Sequence, residues 1–523
     1  MPTTTRRTED ETSPLLRKEN VKKGPRLPLK QLSILALCRV ADPICMTSVF
    51  SYLPQMIRSF GVSENEIGVW AGVISASLAL CQCLTAVAWC RLSDRIGRKP
   101  SILLGLVAMM ASTIAFGFST SITMAIVTRC LIGLTGNVGI LRTVAAELAP
   151  DPDLKLQALG ILPLAWNLGT ITGPAIGGFL SEPAQKYPSL FPPGGFFDKS
   201  PWALPNLLIA LMIFTGGFLA FLFLDETLGS KQRRYDPGRA MGKKIESFFG
   251  LSFSEQDSTS RVAHDVESHP KQATDNYAGA NPNIPLTWSE ILTPQSTYLV
   301  VLFFISAIHR VTAEQLFSLF FATRVHSSKN PIRLPFHLPG GFGLNSSQLG
   351  LLFAALGVVE ILTQLFIFAP MARKYGNRAL LCVAAFADPI LYFAVPYTLA
   401  LYEKHAGPGG NWVCYTTVAV ILMLCSMNSV LGLNSVVILV TDSASSTRAL
   451  ATLNGFATSV AALGVAIGPS TFGWLYTVGQ KSEWSTIPWV GLTLVASSMW
   501  IWIPKVKVRE QSNRRENEVT SDN

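Results

Sequence analysis

Long apolar runs recur from about residue 32 to residue 503 of this chain, divided by short charged stretches. Each is close to the roughly 20 residues that a helix needs to cross the hydrocarbon core of a bilayer. Inside a bilayer, backbone groups must bond one another, so runs of this length are read as helices. Read against the charges, they give about twelve spans: 32–54, 67–90, 100–119, 122–146, 156–180, 204–225, 298–322, 347–371, 379–401, 412–440, 452–477 and 484–503. Composition points the same way, with 49% of residues hydrophobic and 14% charged, against about 25% charged in ordinary soluble chains. Mean hydropathy is +0.36. The expected fold class is an all-α polytopic membrane protein.

The net charge of +9 raises the question of nucleic acid, but the basic residues lie in short loops and tails beside the apolar runs. That is the distribution of the positive-inside rule. No aromatic-basic stripe or zinc spacing supports a nucleic-acid module, and none is expected as a partner. The nine cysteines lie within or beside apolar segments, where they read as small core hydrophobes. The polar N-terminus has no hydrophobic signal core, so no cleaved signal peptide is expected. Arg91, Arg95, Arg98, Lys99, Arg373, Lys374, Arg378 and the basic C-terminal tail share one face with the N-terminus, which is expected to be cytosolic. Arg324, Lys329 and Arg333 on the opposite loop are an exception.

Between the sixth and seventh spans, Gly229 to Pro285 is rich in Ser, Asp, Lys, His and Asn and reads as a mobile linker. Thr293 can cap the seventh helix and Pro294 can start it. The expected organisation is a cytosolic tail (1–31), a six-helix bundle (32–225), a cytosolic linker (226–297), a second six-helix bundle (298–503) and a cytosolic tail (504–523).

The halves repeat. "GTITGPAIGG" (169–178) returns as "GVAIGPSTFG" (464–473), and "LSDRIGRK" (92–99) returns as "MARKYGNR" (371–378). Two six-helix halves with repeated signatures mark a transporter that rocks around a central site. In the loop between spans two and three, Gly97 can take positive φ and end a helix, and Pro100 suits the first turn of the next.

These motifs resemble the major facilitator superfamily over nearly the whole chain. The loop signature G-x-x-x-D-R-x-G-R-K is met by Asp94, Arg95, Gly97, Arg98 and Lys99, with Cys90 at its leading glycine. The fifth-helix pattern associated with proton antiporters is complete as Gly169, Gly173, Pro174, Gly177 and Gly178. The fourth-helix pattern keeps Arg129 and Gly133, with Ile132 replacing its glutamine, and "LDET" (224–227) matches the family's ending of helix 6. "PLKQLSILALCRVADPICMTSVFSYLPQMI" (28–57) is similar to fungal twelve-helix drug:proton antiporters near the zinc-induced-facilitator-like branch. The resemblance implies a major-facilitator fold of twelve transmembrane helices in two pseudo-symmetric bundles. It further implies alternating access and an interdomain latch at the Asp94 cluster, which Arg142 and Glu147 are expected to join. A plain topogenic turn is the competing reading of that cluster.

An ionisable residue at the bilayer centre costs about 2.5–3.5 kcal/mol on insertion scales, so each one needs a reason. Arg39 and Asp42, three apart, share a helix face. Asp42 lies roughly 16 Å into the first helix. It is the first candidate for carrying the coupled proton, with Arg39 as its partner, followed by Glu360 and Glu314; a static ion pair is the alternative. Asp388 is a weaker candidate. The central cavity is expected to draw on Gln82, Arg129, Asn137, Trp166, Asn167, His309, Asn428 and Asn434, though amides also bond neighbouring helices. Few charges among amides and aromatics suit an amphipathic organic molecule. No dense His/Asp/Glu cluster lies within the spans, so neither a bound metal nor direct zinc transport is expected, and no cofactor.

Efflux by proton antiport is therefore expected, from a monomer in the lipid bilayer. Proton symport or facilitated import of a metabolite, and a transporter-like nutrient receptor, are the alternatives. No Walker, H-E-x-x-H or G-x-S-x-G motif suggests an enzyme. "ETSPLL" (11–16) fits an acidic dileucine signal for the vacuole; the plasma membrane is the favoured address.

Overall fold

The computed structural model describes residues 27–506 except 150–151, 233, 249–291, 325–334, 339, 405–410, 445–446 and 483. Twelve long helices follow in order: α1 (Leu29–Thr47), α2 (Ile67–Ile96), α3 (Arg98–Gly117), α4 (Ile122–Glu147), α5 (Pro152–Leu180), α6 (Ala203–Phe223), α7 (Pro294–Ala322), α8 (Ser346–Tyr375), α9 (Asn377–Lys404), α10 (Asn411–Asp442), α11 (Thr447–Lys481) and α12 (Ile487–Lys505). Eleven helical stretches among the described residues are long and apolar enough to cross a bilayer, and α5 completes the twelve. An even number of crossings puts both ends of the chain on one face, here called the terminal face; the other is the far face.

The two bundles, α1–α6 and α7–α12, pair their helices alike. In the first, α1 packs on α5 and α3 on α6; in the second, α7 packs on α11 and α9 on α12. The halves meet along two seams, α2 against α11 and α5 against α8. The repeated glycine motif explains part of this symmetry. A Cβ on Gly173 would fall 3.1 Å from the Ile44 carbonyl of α1, and one on Gly468 would fall 3.0 Å from the Ile308 carbonyl of α7. Bare backbone there allows close helix approach. The last glycine of each repeat faces across a seam: a Cβ on Gly178 would meet Gly350 Cα at 2.5 Å, and Gly473 lies against Gly68.

Helix ends move from the sequence expectation by several residues at α1. There the chain tightens into a 3-10 turn at Ser48–Ser51, and a short helix, Leu53–Ser59, carries Pro54 in its first turn. Helix α4 breaks after Gly133 and resumes at Val138. Trp89 donates its indole N–H to the Leu134 carbonyl at the break. At α7, Thr293 accepts the Ser296 amide and Pro294 occupies the first helical position, as the sequence signals.

The tract expected to be mobile from Gly229 begins with order. A helix over Pro237–Phe248, the linker helix, lies on the terminal end of α6, where Gly238 and Gly242 seat against the Phe221 and Leu222 carbonyls. Residues 249–291 of the expected linker lie outside the described residues.

Candidate functional site

A cavity opens between the halves, where transporters built from two repeated bundles hold their substrate. The first half contributes Thr47, Phe50, Thr170 and Pro174; the second contributes Arg310, Glu314, Phe317, Phe353, Glu360 and Tyr392. Arg310 Nη2 lies 3.4 Å from Glu314 Oε1, one turn along α7, and 3.6 Å from Glu360 Oε2 of α8. Both distances exceed the roughly 2.7–2.9 Å of a charge-assisted hydrogen bond, and Arg310 Nε has no hydrogen-bond partner among the described residues. One guanidinium is thus divided between two carboxylates.

Behind this cluster lies a smaller cavity bordered by His309, Asp388 and Asn428. Asn428 donates to Asp388 at 2.9 Å and to the Ala384 carbonyl at 3.2 Å. His309 Nδ1 is 3.1 Å from the Tyr392 hydroxyl.

In the first half, Arg39 Nη1 holds Asp42 Oδ2 at 2.9 Å, and Gln82 Nε2 donates to the other oxygen, Oδ1, at 3.2 Å. The Arg39 guanidinium lies 4.9 Å from the Trp166 ring centre, a cation–π distance. Asn167 follows, half-buried on α5. The structure therefore gathers Arg39, Asp42, Gln82 and Trp166 into one group, with both Asp42 oxygens occupied. Other expected cavity residues sit in helix packing. Arg129 is buried, donates to the Cys45 carbonyl at 2.8 Å and stacks on Phe116. Asn137 donates to the Ile102 carbonyl at 3.3 Å beside the break in α4, and Asn434 bonds Gln364.

Contacts between the halves close the far face. Arg58 reaches the Ala322 carbonyl at 3.2 Å and Glu64 at 2.8 Å, while Arg324 lies 3.3 Å from Glu64 and Lys481 3.5 Å from Glu66. On the α5–α8 side, Lys186 donates to the Gly178 carbonyl (2.6 Å), Ser181 (3.0 Å) and Ser346 of α8 (2.8 Å), and Ser346 donates to Glu182 at 3.2 Å. Burial pushes the Lys186 ammonium down to about 8, although Glu182 opposes the shift.

On the terminal face, the Asp94 cluster is bonded within its own half. Gly97 has φ +115° and ends α2. Arg98 bridges Asp94 at 2.5 Å and Glu147 at 3.0 Å. Glu226 of "LDET" accepts the amides of Arg98 (2.9 Å) and Lys99 (3.2 Å), capping the positive end of α3. Lys99 continues to Asp236 at 2.5 Å. Asp94 and Arg95 are exposed. Arg142 alone of the latch candidates has a described bond across the halves, reaching Thr458 of α11 at 3.4 Å. Cys90, in place of the signature's first glycine, packs against Gly139 of α4.

Sequence reasoning gave no role to Arg310, Tyr392, Gln364 or Lys186. The Arg310–Glu314 spacing is readable on one helix, whereas the pairing with Glu360 joins residues far apart in the chain. Tyr392, Gln364 and Lys186 carry no distinguishing sequence signal.

Residues 35–334 match the model of the Major Facilitator Superfamily. The chain is 32% identical to the major facilitator superfamily multidrug transporter mfsB of Aspergillus fumigatus, over 94% of this chain and 86% of that one. It is 28% identical to ZINC INDUCED FACILITATOR-LIKE 1 of Arabidopsis thaliana, over 86% and 84%. Among solved structures, a bacterial homolog of the human lysosomal transporter Spinster superposes with TM-score 0.60 at 14% identity, over 92% of this chain and 98% of that one.

Proposed function

The chain belongs to the major facilitator superfamily, and from that premise we propose that this membrane transporter exports a small amphipathic organic molecule in exchange for protons. The carrying observation is the cavity between the halves, where Glu314 and Glu360 share Arg310 beside Phe50, Phe317 and Phe353. A coupling carboxylate must gain and lose a proton as its surroundings change, and a movable cation is one way to achieve that. Asp42 has both oxygens engaged, whereas among the described residues Glu360 has only the divided guanidinium, so the coupling role moves from Asp42 to Glu360 and Glu314. The relative named a multidrug transporter supports efflux of organic cargo. The basic loops support a cytosolic terminal face, and closure of the far face fits a carrier loading from the cytosol. The plasma membrane is the proposed address, with the monomer as the working unit.

The test is proton movement in liposomes containing purified protein and a trapped pH dye, screened with amphipathic metabolites and drugs. Substrate-triggered proton flux should disappear in Glu360→Gln. In Asp42→Asn it should persist in whatever protein folds, with a lowered melting temperature, because the buried Arg39 would lose its anionic partner. Substrate crossing without proton movement, unchanged by Glu360→Gln, would make the protein a facilitator.

A further inference from the structure

The charges that face the cavity do not balance. Arg310 is the single cation among its described lining residues, and Glu314 and Glu360 are two carboxylates. The groups around them do not make up the difference. From α1, Arg39 is spent on Asp42 at 2.9 Å. From α4, Arg129 is turned onto the Cys45 carbonyl. From α7 and α9, His309 and the Tyr392 hydroxyl bond each other. Asp388 of α9, with Asn428 of α10 as its bonded partner, adds a further carboxyl behind the cluster rather than a cation. From α10, the lining groups are Cys425, Ser426 and Ser429.

Two ionised carboxylates and one guanidinium leave one uncompensated negative charge within the membrane-spanning part of the fold, which is costly. A proton on one carboxyl removes the deficit, and so does a cationic ligand. An uncharged ligand would leave the deficit in place once the proton left, and an anionic one would deepen it. A divalent metal would have to displace Arg310, and no group of three or more metal-type ligands occurs among the described residues. The walls suit an organic cation, because Phe50, Phe317, Phe353 and Tyr392 line the same space and aromatic faces attract cations.

We infer that the cargo is an organic monocation, exchanged one for one with a proton carried by whichever of Glu314 and Glu360 Arg310 leaves unpaired. This rests on the proton-coupled export reading and adds its cargo charge and stoichiometry. In the exchange the carboxyl O–H bond breaks, the proton leaves to water, and the carboxylate pairs with the incoming cation. Cavity charge is zero before and after, so the loaded and the protonated carrier are electrically equivalent. Arg310 acts as a positioning residue that sets how many carboxylates remain open.

The probes are methyltriphenylphosphonium, uncharged triphenylphosphine oxide and anionic tetraphenylborate, all bulky aromatic molecules that differ in charge. Binding to the full-length protein in lipid nanodiscs would be followed by calorimetry in buffers of different ionisation enthalpy, which counts released protons. The phosphonium should bind in preference to the other two, release one proton per ion, and gain affinity about tenfold per pH unit until the carboxyl is ionised. Glu314→Gln and Glu360→Gln, each checked for folding by gel filtration and melting, should each abolish the proton release and the pH dependence. Equal binding of the oxide, preference for the borate, or no binding of the phosphonium overturns the inference. The liposome assay separates the two levels. Proton flux driven by an uncharged cargo would sink the monocation and keep the export reading; cargo movement without any proton flux would sink both.

Discussion

Gly97 carries two constraints that its repeat partner Gly376 divides. Both have positive φ, +115° and +81°, with extended ψ of 158° and 154°, a region that side-chain-bearing residues avoid. A Cβ at Gly97 would also fall 2.5 Å from Glu226 Oε2, the carboxylate that caps α3, whereas a Cβ at Gly376 meets nothing within 4 Å. Gly376→Ala should therefore cost only backbone strain, about 1–3 kcal/mol. Gly97→Ala should cost that and also displace Glu226, a further loss of about 1 kcal/mol for a weakened cap. Thermal melting of both variants in nanodiscs checks the order; an equal loss at the two sites would show that Glu226 contributes nothing.

At the scale of the element, the linker helix is held by charge as well as by its glycines. Lys99 meets Asp236, Arg239 meets Asp225 at 2.7 Å and Glu246 at 3.3 Å, and Lys30 bonds Glu246. Burial would raise Asp236, but the Lys99 bond, backbone amides and the Lys99 charge outweigh it and hold the carboxyl below its usual range. Glu246 is likewise raised by burial and then brought below its usual range by Lys30 and Arg239. Lowered carboxyls stabilise the docked helix fully above about pH 4–4.5, the ordinary range of free Asp and Glu, and that stabilisation fades as the pH drops through the lowered values. Amide exchange across Pro237–Phe248, corrected for intrinsic rate, should be slow at pH 7 and faster near pH 3; unchanged protection would mean that packing alone holds the helix. The spans, Gly97, the Thr293 cap and the Arg39–Asp42 pair were readable because each depends on residues within a few positions of one another. The linker helix was not, because its anchors Lys30 and Lys99 lie far back in the chain and its own composition is polar. Glu360 was visible as a charge in an apolar run, but its sharing of Arg310 depends on how α7 and α8 are rotated, which spacing alone does not encode. Arg129 and Asn137 look like cavity residues by the same rule, and only packing shows them turned to neighbouring backbone.

For the whole molecule, Lys186 links the halves at the far face through three hydrogen bonds, one of them to α8. Its lowered value of about 8 in the closed arrangement, against about 10.4 for a free lysine, means that closing weakens the hold on the proton and releases it between about pH 8 and 10. The closed state is therefore relatively disfavoured while Lys186 is protonated, and it gains ground as the pH rises from about 8 towards 10. Spin labels at the far ends of α5 and α8 should report a larger closed fraction over that interval. Lys186→Met should flatten the dependence, and an unaltered slope in that variant would assign it to other groups.

Gly178 against Gly350 and Gly68 against Gly473 put bare backbone on both sides of the two seams. Both contacts sit at the far ends of their helices, beside the polar clips around Arg58, Glu64 and Lys186, so a stroke that opened the far face would part glycine contacts and clips together. Surfaces without side-chain ridges have no grooves to re-register and no rotamers to reset when they meet again. The clips would then act as catches and the bare patches as self-seating landing pads, whose roughening would slow closing without changing what is carried.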